Sequence, residues 1–271
     1  MGNSGLREAR IVAPMTVPAD VLTRFSDRAS DYAKRRPSYP AEAIDATLEG
    51  LGDPGRLIAA DIGAGTGISS RLLAERGVRV LAIEPNGPMR AQGEAERHPL
   101  VEWRDATGES TGLAAHSIDL IVCAQAFHWL DAPRALAEFR RILKPGGRAA
   151  VIWNVLDERD ALSQGYAKTV AAHATDPPQS PWFTGVSSPF PGASGWGAPR
   201  TSIAPNSQTL DGEGFVRRAL SASYSPTSGP AHDALVGDLT DLFQTHAKNG
   251  VVCLRYVTET HLCETCAAST A

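Results

Sequence analysis

One short segment constrains the fold of this chain more than any other. Residues 57–62 form an apolar run interrupted only by Asp61, and glycine then occupies every second position: Gly63, Gly65 and Gly67. Continuous apolar runs are typical of buried parallel strands. Glycines directly after such a strand allow a tight turn and let a ligand approach the backbone. Because helical spacing follows in residues 68–76, the segment predicts a strand, a glycine loop and a helix, with a small-molecule site where the strand ends.

The spacing of the glycines limits which ligand the loop can bind. A dinucleotide fingerprint requires glycine or alanine three positions after Gly65, where this chain has Ile68. A phosphate-binding loop would end in Gly-Lys-Ser or Gly-Lys-Thr, and neither follows the strand. The observed Asp-x-Gly-x-Gly-x-Gly pattern resembles the nucleotide-binding loop of class I S-adenosylmethionine (SAM)-dependent methyltransferases. A generic strand-to-helix turn is the alternative interpretation of this segment alone.

Four further apolar segments predict more parallel strands: residues 78–83, 100–104, 118–123 and 149–153. The first of them ends at Glu84, and a carboxylate there suits a ribose because it accepts hydrogen bonds from two neighbouring hydroxyls. The second ends at Asp105 and Ala106. The third leads into Gln125 and the triplet Phe-His-Trp at residues 127–129.

The order of these units resembles the core of a class I methyltransferase of the small-molecule branch, in the group that includes the trans-aconitate methyltransferases. The glycine loop, a strand ending in Glu-Pro, Asp-Ala, Phe-His-Trp and Leu-Lys-Pro-Gly-Gly follow one another within residues 57–153. Upstream, residues 25–33 and 36–40 resemble the N-terminal helix and Arg-Pro-x-Tyr-Pro turn of the group. The resemblance implies an α/β fold with a doubly wound, mostly parallel, seven-stranded Rossmann-like sheet. Helices cover both faces of such a sheet, and its last strand is antiparallel.

The resemblance also implies SAM as the cofactor, S-adenosyl-L-homocysteine (SAH) as the product, and a set of residues that hold the cofactor. Glu84 would bind the ribose, whereas Asp105 and Ala106 would hold the adenine. Gln125 lies on the loop nearest the sulfonium. Tyr32 or Arg36 would bind the methionine carboxylate, the alternative being a solvent-facing helix end. The expected cofactor site is completed by the loop residues Asp61, Gly63, Gly65 and Gly67.

His128 is the candidate catalytic residue. Methyl transfer from a sulfonium is an in-line displacement, so alignment of donor and acceptor accounts for much of the rate. A general base helps where the acceptor is a hydroxyl or a protonated amine, and a histidine of ordinary pKa suits that role. Alternatively, His128 caps the following helix or touches the adenosine. His128, Tyr39 and Trp129 are also expected to line the acceptor pocket, although Trp129 is equally a candidate packing residue.

Charge and composition exclude several classes of partner. The net charge of the 271 residues is −4, and nucleic-acid binding requires a clustered basic face. No run of about 20 apolar residues predicts a membrane span, and the polar N-terminus lacks a secretory signal. We therefore expect a cytoplasmic protein, monomeric or homodimeric, with a small-molecule acceptor and neither nucleic acid nor a membrane as partner.

The cysteines do not predict a metal site. Structural zinc sites usually have two ligand pairs, and this chain has one Cys-x-x-C, formed by Cys263 and Cys266. Cys123 ends a predicted buried strand and is expected to pack as a small apolar residue.

The chain is expected to form one domain over residues 19–262, between a mobile segment (1–18) and a tail (263–271). Within it we expect an N-terminal helical cap (19–50) and a loop or lid insertion (about 157–205). The part of the insertion that is rich in Pro, Gly and Ser is either a surface loop fixed by aromatic side chains or a lid over the substrate. Further elements are expected as helices at 19–34, 41–49, 132–143, 157–174 and 231–248, and strands at 207–210 and 251–262.

Two functions from different classes need the same glycine loop and the same Glu84. The leading hypothesis is an enzyme that transfers the methyl group of SAM to an O, N or C atom of a small molecule. The alternative is a SAM-binding protein without methyl transfer, either a regulatory binder or an enzyme of cyclisation or rearrangement. A third reading, an NAD-dependent oxidoreductase, is disfavoured by Ile68.

Overall fold

The structure is a computed structural model and describes residues 36–175, 189–190, 195–222 and 224–265. The strands are β1 Ile58–Ile62, β2 Arg79–Ile83, β3 Val101–Arg104, β4 Ile118–Ala124, β5 Leu143–Leu156, β6 Arg200–Leu210 and β7 Val252–Glu264. The helices are α1 Ala41–Leu48, α2 Ile68–Ala74, α3 Gly87–Ala95, α4 Ala132–Ile142, α5 Ala161–Ala172, α6 Gly212–Leu220 and α7 Pro230–His246. No helix in this part of the chain is long and apolar enough to cross a membrane.

The seven strands form one sheet in the order β3-β2-β1-β4-β5-β7-β6. Strands β1 to β5 pair in parallel, whereas β7 is antiparallel to both of its neighbours, β5 and β6. The predicted doubly wound sheet with an antiparallel last strand is therefore confirmed. The order of the strands reverses between β1 and β4, and such a switch point leaves a crevice at the carboxyl ends of the two strands.

Helices cover both faces of the sheet because the central strands carry apolar side chains on both sides. Successive residues of β1 contribute to different buried clusters, Ala60 to the one that contains Phe139 of α4 and Ala59 to the one that contains Leu73 of α2. A third cluster packs α5, α6 and α7 against β7 and includes the buried Tyr166. The described part of the chain thus has its main core around β1, β4 and β5 and a second core beside β7.

Most of the predicted elements are present, and the differences concern their lengths. Strand β5 begins at Leu143 rather than at residue 149, because the Lys-Pro-Gly-Gly segment continues the strand past a shift in its register with β4. Strand β6 begins at Arg200 rather than at residue 207, because its whole length pairs with β7. The alternation of strands and helices implies helix α3 between β2 and β3, but its bounds were not predicted, since it contains two glycines and a proline and buries only Met89 and Gly93.

Several predictions fall on residues that the structure does not describe. They are the helix at 19–34, Tyr32, Cys266 and most of the Pro- and Gly-rich insertion. Within that insertion, Phe190 and Trp196 are buried in the main core, with ring centroids 5.2 Å apart. This packing favours the interpretation in which aromatic side chains fix the loop. Cys123 is fully buried, as predicted.

Arg148 joins the end of helix α1 to the sheet. Its Nη1 donates to the carbonyl oxygens of Thr47 (2.9 Å) and Glu49 (2.8 Å), and its Nε donates to the Glu264 carboxylate of β7 (2.7 Å). Only 6% of Arg148 is exposed. The guanidinium therefore satisfies helix-terminal carbonyls that have no partner within the helix.

We expect Arg148→Met to lower the free energy of unfolding by roughly 3 kcal/mol, because buried carbonyl groups and a carboxylate lose a charged donor. Urea unfolding at neutral pH measures this change. Arg200→Met is the matched control, since Arg200 reaches Glu49 (3.5 Å) and Glu264 (3.7 Å) from an exposed position and should cost less than about 1 kcal/mol. Equal losses in the two variants would contradict the role given to Arg148.

Candidate functional site

The glycine loop after β1 adopts a backbone that other residues disfavour. The φ angles of Gly63, Gly65 and Gly67 are 65°, 59° and 80°, and left-handed values of this kind favour glycine. A Cβ atom at Gly63 would lie 2.6 Å from the Cβ of Ala126, and one at Gly67 would lie 2.9 Å from the Trp103 ring. The alternation of glycines in the sequence thus follows from both the conformation of the loop and its tight packing.

Asp61 anchors the helix that follows this loop. Its Oδ2 accepts hydrogen bonds from the hydroxyls of Ser69 (2.7 Å) and Ser70 (2.6 Å), both in the first turn of α2. Its Oδ1 is enclosed and has no hydrogen-bond partner among the residues that the structure describes. Burial raises the pKa of Asp61 to about 6, against the opposing effect of the two serine hydroxyls. Since the folded-state pKa lies above its ordinary value of 3.8, the contribution of Asp61 to stability falls as the pH rises from about 4 to 6.

Glu84, at the end of β2, holds the loop from the other side. One carboxylate oxygen accepts from the backbone N–H of Gly65 (2.7 Å), and the other accepts from that of Asn86 (2.8 Å). Only 7% of Glu84 is exposed, and burial raises its pKa above the ordinary value. Each oxygen of a carboxylate accepts two hydrogen bonds, so Glu84 retains capacity for the hydroxyls of a ribose.

Asp105 and Ala106 follow β3 as predicted, on the same edge of the sheet. Asp105 is exposed, and its Oδ2 accepts a hydrogen bond from Nη2 of Arg90 (3.0 Å). Nη1 of Arg90 donates to the carbonyl oxygen of Glu84 (2.6 Å). Ala106 packs against the main core. Arg90 therefore connects the ends of β2 and β3, a role that the sequence did not reveal.

Gln125 directly follows β4 and has a left-handed backbone, with φ of 56°. Such a conformation is uncommon in residues other than glycine, asparagine or aspartate. Where it occurs, it is often found at a functional site. Its backbone N–H donates to Ile152 (2.9 Å) and its side-chain amide donates to the carbonyl oxygen of Asn154 (3.0 Å), both in β5. The geometry fixes Gln125 at the carboxyl end of β4, beside the switch point, and its predicted place near the sulfonium stays a prediction.

Asn154 also ties the N-terminal segment to the sheet. Its amide donates to the carbonyl oxygen of Ser38 (3.2 Å), and Asn206 of β6 donates to the same oxygen (2.7 Å). This segment carries Arg36 and Tyr39, and the ring of Tyr39 packs against the buried cluster around α1 and α2. The two asparagines thus place Arg36 and Tyr39 beside the carboxyl ends of the strands.

His128 lies in a short 3₁₀ turn between β4 and α4, between two tryptophan rings. Its ring centroid is 4.6 Å from that of Trp129 and 5.4 Å from that of Trp153. Burial, with a smaller effect of Arg36, lowers the pKa of His128 from 6.5 to about 3. The assumption of an ordinary histidine pKa is therefore wrong for this residue, because loss of water around the imidazole and the charge of Arg36 disfavour its charged form.

The comparisons with known proteins agree with this geometry. Residues 60–151, which run from β1 into β5, match a family described as a methyltransferase domain. An uncharacterised methyltransferase of Mycobacterium bovis is 39% identical over 140 residues, which cover 52% of this chain and 56% of that protein. A methyltransferase-like protein of Schizosaccharomyces pombe is 31% identical over 159 residues, covering 58% of this chain and 61% of that protein.

The chain has the fold of the class I SAM-dependent methyltransferases, and residues 60–151 match a methyltransferase domain. It spans little more than half the length of the curated relatives that it matches. A solved structure named as a candidate type II methyltransferase from Anaeromyxobacter dehalogenans superposes with a TM-score of 0.59 at 26% identity, over 85% of this chain and 97% of that one. Phosphoethanolamine N-methyltransferase 2 of Haemonchus contortus, solved with SAH, shares the fold with a TM-score of 0.50 at 15% identity, over 89% of this chain and 58% of that one.

The residues of the methyltransferase site fit the cofactor of this family. Oδ1 of Asp61 and Oγ1 of Thr66 are both enclosed without a hydrogen-bond partner, and buried polar atoms normally have one. The amino group of the methionine moiety can donate to such atoms, and the ribose hydroxyls can donate to Glu84. Thr66 was not predicted from the sequence, where it stands only as a variable position within the glycine pattern.

We expect Gly63→Ala to destabilise the domain by roughly 2–5 kcal/mol. Part of this cost is the left-handed backbone that alanine would have to adopt, and the rest is the close contact of its Cβ with Ala126. Gly50→Ala is the matched control, since Gly50 has a φ of 78° with nothing within 4 Å of its added Cβ. It should cost only the 1–2 kcal/mol of the backbone conformation. Denaturant unfolding measures both variants, and similar losses would rule out the contact as the cause.

Proposed function

We propose that this protein transfers the methyl group of SAM to an O, N or C atom of a small-molecule acceptor. The single observation that carries the proposal is the pair of buried carboxylates, Asp61 and Glu84, on either side of the glycine loop. Oδ1 of Asp61 lacks a partner, and Glu84 has remaining acceptor capacity. The methyltransferase family match over residues 60–151 supports the same activity.

We assign the cofactor as follows. Glu84 accepts hydrogen bonds from the ribose, and the backbone of Gly63, Gly65 and Gly67 lies along the ligand. Asp105 and Ala106 lie where the adenine is expected, and Gln125 lies at the switch point beside the sulfonium. Arg36 is a candidate for the methionine carboxylate, with Tyr32 from the part of the chain that the structure does not describe.

The bound cofactor supplies a methyl group on a positively charged sulfur. The protein's own contribution is to position that group and to exclude water, which can account for much of the barrier reduction. The buried carboxylates favour a cation in the crevice, and the rings of Trp129 and Trp153 pack close to His128. Tyr39 and Trp129 are proposed to line the acceptor pocket.

His128 acts, in this proposal, by positioning rather than as a strong base. A general base works best when its pKa is near the working pH, and the pKa of His128 is lowered to about 3. The imidazole is then neutral at physiological pH and presents a hydrogen-bonding atom without charge. This arrangement favours alignment of the acceptor over proton removal.

We further propose a cytoplasmic enzyme of small-molecule metabolism, monomeric or homodimeric, without a nucleic-acid partner. The net charge of −4 supports the last point. Residues 19–50 are proposed as an N-terminal cap, and about 157–205 as an insertion near the acceptor. The contacts of Ser38 with Asn154 and Asn206 support the placement of the cap over the site.

Incubation with methyl-labelled SAM and a broad panel of small acceptors tests the activity. Release of SAH that depends on the acceptor, with the label recovered in the acceptor, is the expected result. Tight SAM binding without turnover across the panel would instead favour the alternative of a SAM-binding protein without methyl transfer. Absence of SAM binding would contradict both.

We expect Glu84→Ala to weaken SAM and SAH alike by roughly 2–3 kcal/mol, about 30- to 150-fold in Kd, because both ligands share the ribose. Titration calorimetry measures the loss, and Glu102→Ala, an exposed carboxylate of β3, is the control. A double-mutant cycle with 2′-deoxy-SAH separates the ribose contact from disorder of the loop. Equal penalties for the missing hydroxyl in parent and variant would show that Glu84 does not bind the ribose.

We expect titration of His128 to have no effect on turnover of the parent enzyme between pH 6 and 8, since the imidazole is already neutral in this range. His128→Ala should lower turnover by less than about tenfold and leave the pH profile unchanged. Loss of a general base would instead cost roughly 10²–10⁴-fold. Steady-state kinetics at saturating SAM and acceptor decide between the two roles.

A further inference from the structure

A half-buried arginine without an acidic partner among the described residues lies beside the second core, away from the glycine loop. Arg218 is in the last turn of α6. Its Nε is enclosed and has no hydrogen-bond partner, whereas part of the residue remains accessible. No carboxylate among the residues that the structure describes forms an ion pair with it. Buried charges are normally paired, so this guanidinium requires an explanation.

The surroundings of Arg218 are phenols. Burial works against its charge, but Tyr256, Tyr166 and Tyr224 favour it, and the net effect raises the pKa of Arg218. Tyr166 of α5 is 3% exposed, and its ring packs against Phe215 with centroids 4.9 Å apart. The Oη of Tyr166 is enclosed without a hydrogen-bond partner, and burial raises the pKa of the phenol, which stays protonated. Nε of Arg218 and Oη of Tyr166 are thus two enclosed polar atoms that lack a hydrogen-bond partner among the described residues, while the guanidinium also hydrogen-bonds to Tyr256.

Arg36 connects this cluster to the methyl-transfer site. Its Nη2 donates to the carbonyl oxygen of Ser221 (3.4 Å), which follows α6. The charge of Arg36 influences both His128 and Tyr166. Arg36 is thus linked to the end of α6, which carries Arg218, and its charge also acts on His128.

We propose that Arg218 and the Tyr166 hydroxyl bind an anionic group, a carboxylate or a phosphate, on the methyl acceptor. A planar guanidinium and a phenol are both donors, and a charged acceptor satisfies both at once. This inference rests on the proposed methyl transfer, because it assigns the substrate class of that same site. It makes Arg218 a specificity-determining residue.

The carboxylate of SAM is the other anion that could reach this region. The position of the cluster favours the acceptor. Arg218, Tyr166 and Tyr256 come from α6, α5 and β7, and β7 is separated from β1 by β4 and β5. Strands lie about 4.8 Å apart, so β7 is roughly 14 Å across the sheet from the strand that carries the glycine loop.

Calorimetric titration of the SAH complex with small anions and their neutral counterparts tests the proposal. The probes are benzoate against benzamide, succinate against succinamide, and inorganic phosphate against trimethyl phosphate. We expect at least one anion to bind the parent protein at least tenfold more tightly than its neutral counterpart. Failure of every anion to show this preference, with SAH binding intact, overturns the proposal.

Variants then locate the anion. Arg218→Met should weaken the preferred anion about 10- to 100-fold and Tyr166→Phe about 3- to 10-fold, with the affinity for the neutral probe unchanged. Arg218→Lys should restore part of the loss, because it keeps the charge but not the fork of donors. Arg217→Met, at a neighbouring exposed arginine that pairs with Glu213, is the matched control and should change binding less than twofold.

The affinity for SAH separates this proposal from the proposed function. A parent protein that does not bind SAH contradicts the proposed function, and anion binding without SAH still tests the Arg218 cluster. If Arg218→Met weakens SAH but not the small anions, the cluster holds the methionine carboxylate and the proposal is wrong. If Arg218→Met does not fold, Tyr166→Phe and Arg218→Lys provide the same comparison.

Discussion

The reversal of strand order between β1 and β4 is the constraint on which the rest of the site depends. It brings the carboxyl ends of two neighbouring parallel strands to one crevice, because their crossover connections leave in opposite directions. The chain must then turn sharply after β1, which accounts for the left-handed glycines, among them Gly63 and Gly65. Asp61 holds the loop and the following helix together, because it accepts hydrogen bonds from both serine hydroxyls in the first turn of α2. The burial of its charge is unfavourable on its own and is offset in part by these hydrogen bonds.

The electrostatics of the crevice favour a cation. Asp61 and Glu84 are both buried, burial raises the pKa of each, and the charge of Asp61 raises the pKa of Glu84 further. A positively charged ligand between them would relieve that repulsion and favour both carboxylates. His128, with its pKa lowered to about 3, adds no competing positive charge. The crevice thus pairs two carboxylates with a neutral imidazole, which suits a sulfonium cofactor.

The proposed acceptor side is built from parts of the chain that are far apart in sequence. Tyr166 comes from α5, Arg218 from α6 and Tyr256 from β7, whereas Arg36, the candidate for the methionine carboxylate, comes from the N-terminal segment. Asn154 and Asn206 hold the N-terminal segment against the strand ends through Ser38. The charges differ in sign, since carboxylates lie at the glycine loop and Arg218 lies in the last turn of α6. In the proposal, the cationic donor therefore binds near the carboxylates and the anionic group of the acceptor near Arg218.

The sequence by itself determined the order of strands and helices, the glycine loop and the acidic residues at the ends of β1 and β2, because these depend on local periodicity and on backbone conformations that few residues adopt. It also indicated the antiparallel last strand through the family resemblance. The lengths of β5 and β6 depended on pairing with β4 and β7, which is not local. Only the tertiary structure decided that His128 is neutral and that Arg218 lies among phenols. The burial of these side chains and the charges near them depend on residues that are distant in sequence, such as Arg36 for His128. No local sequence pattern encodes such contacts.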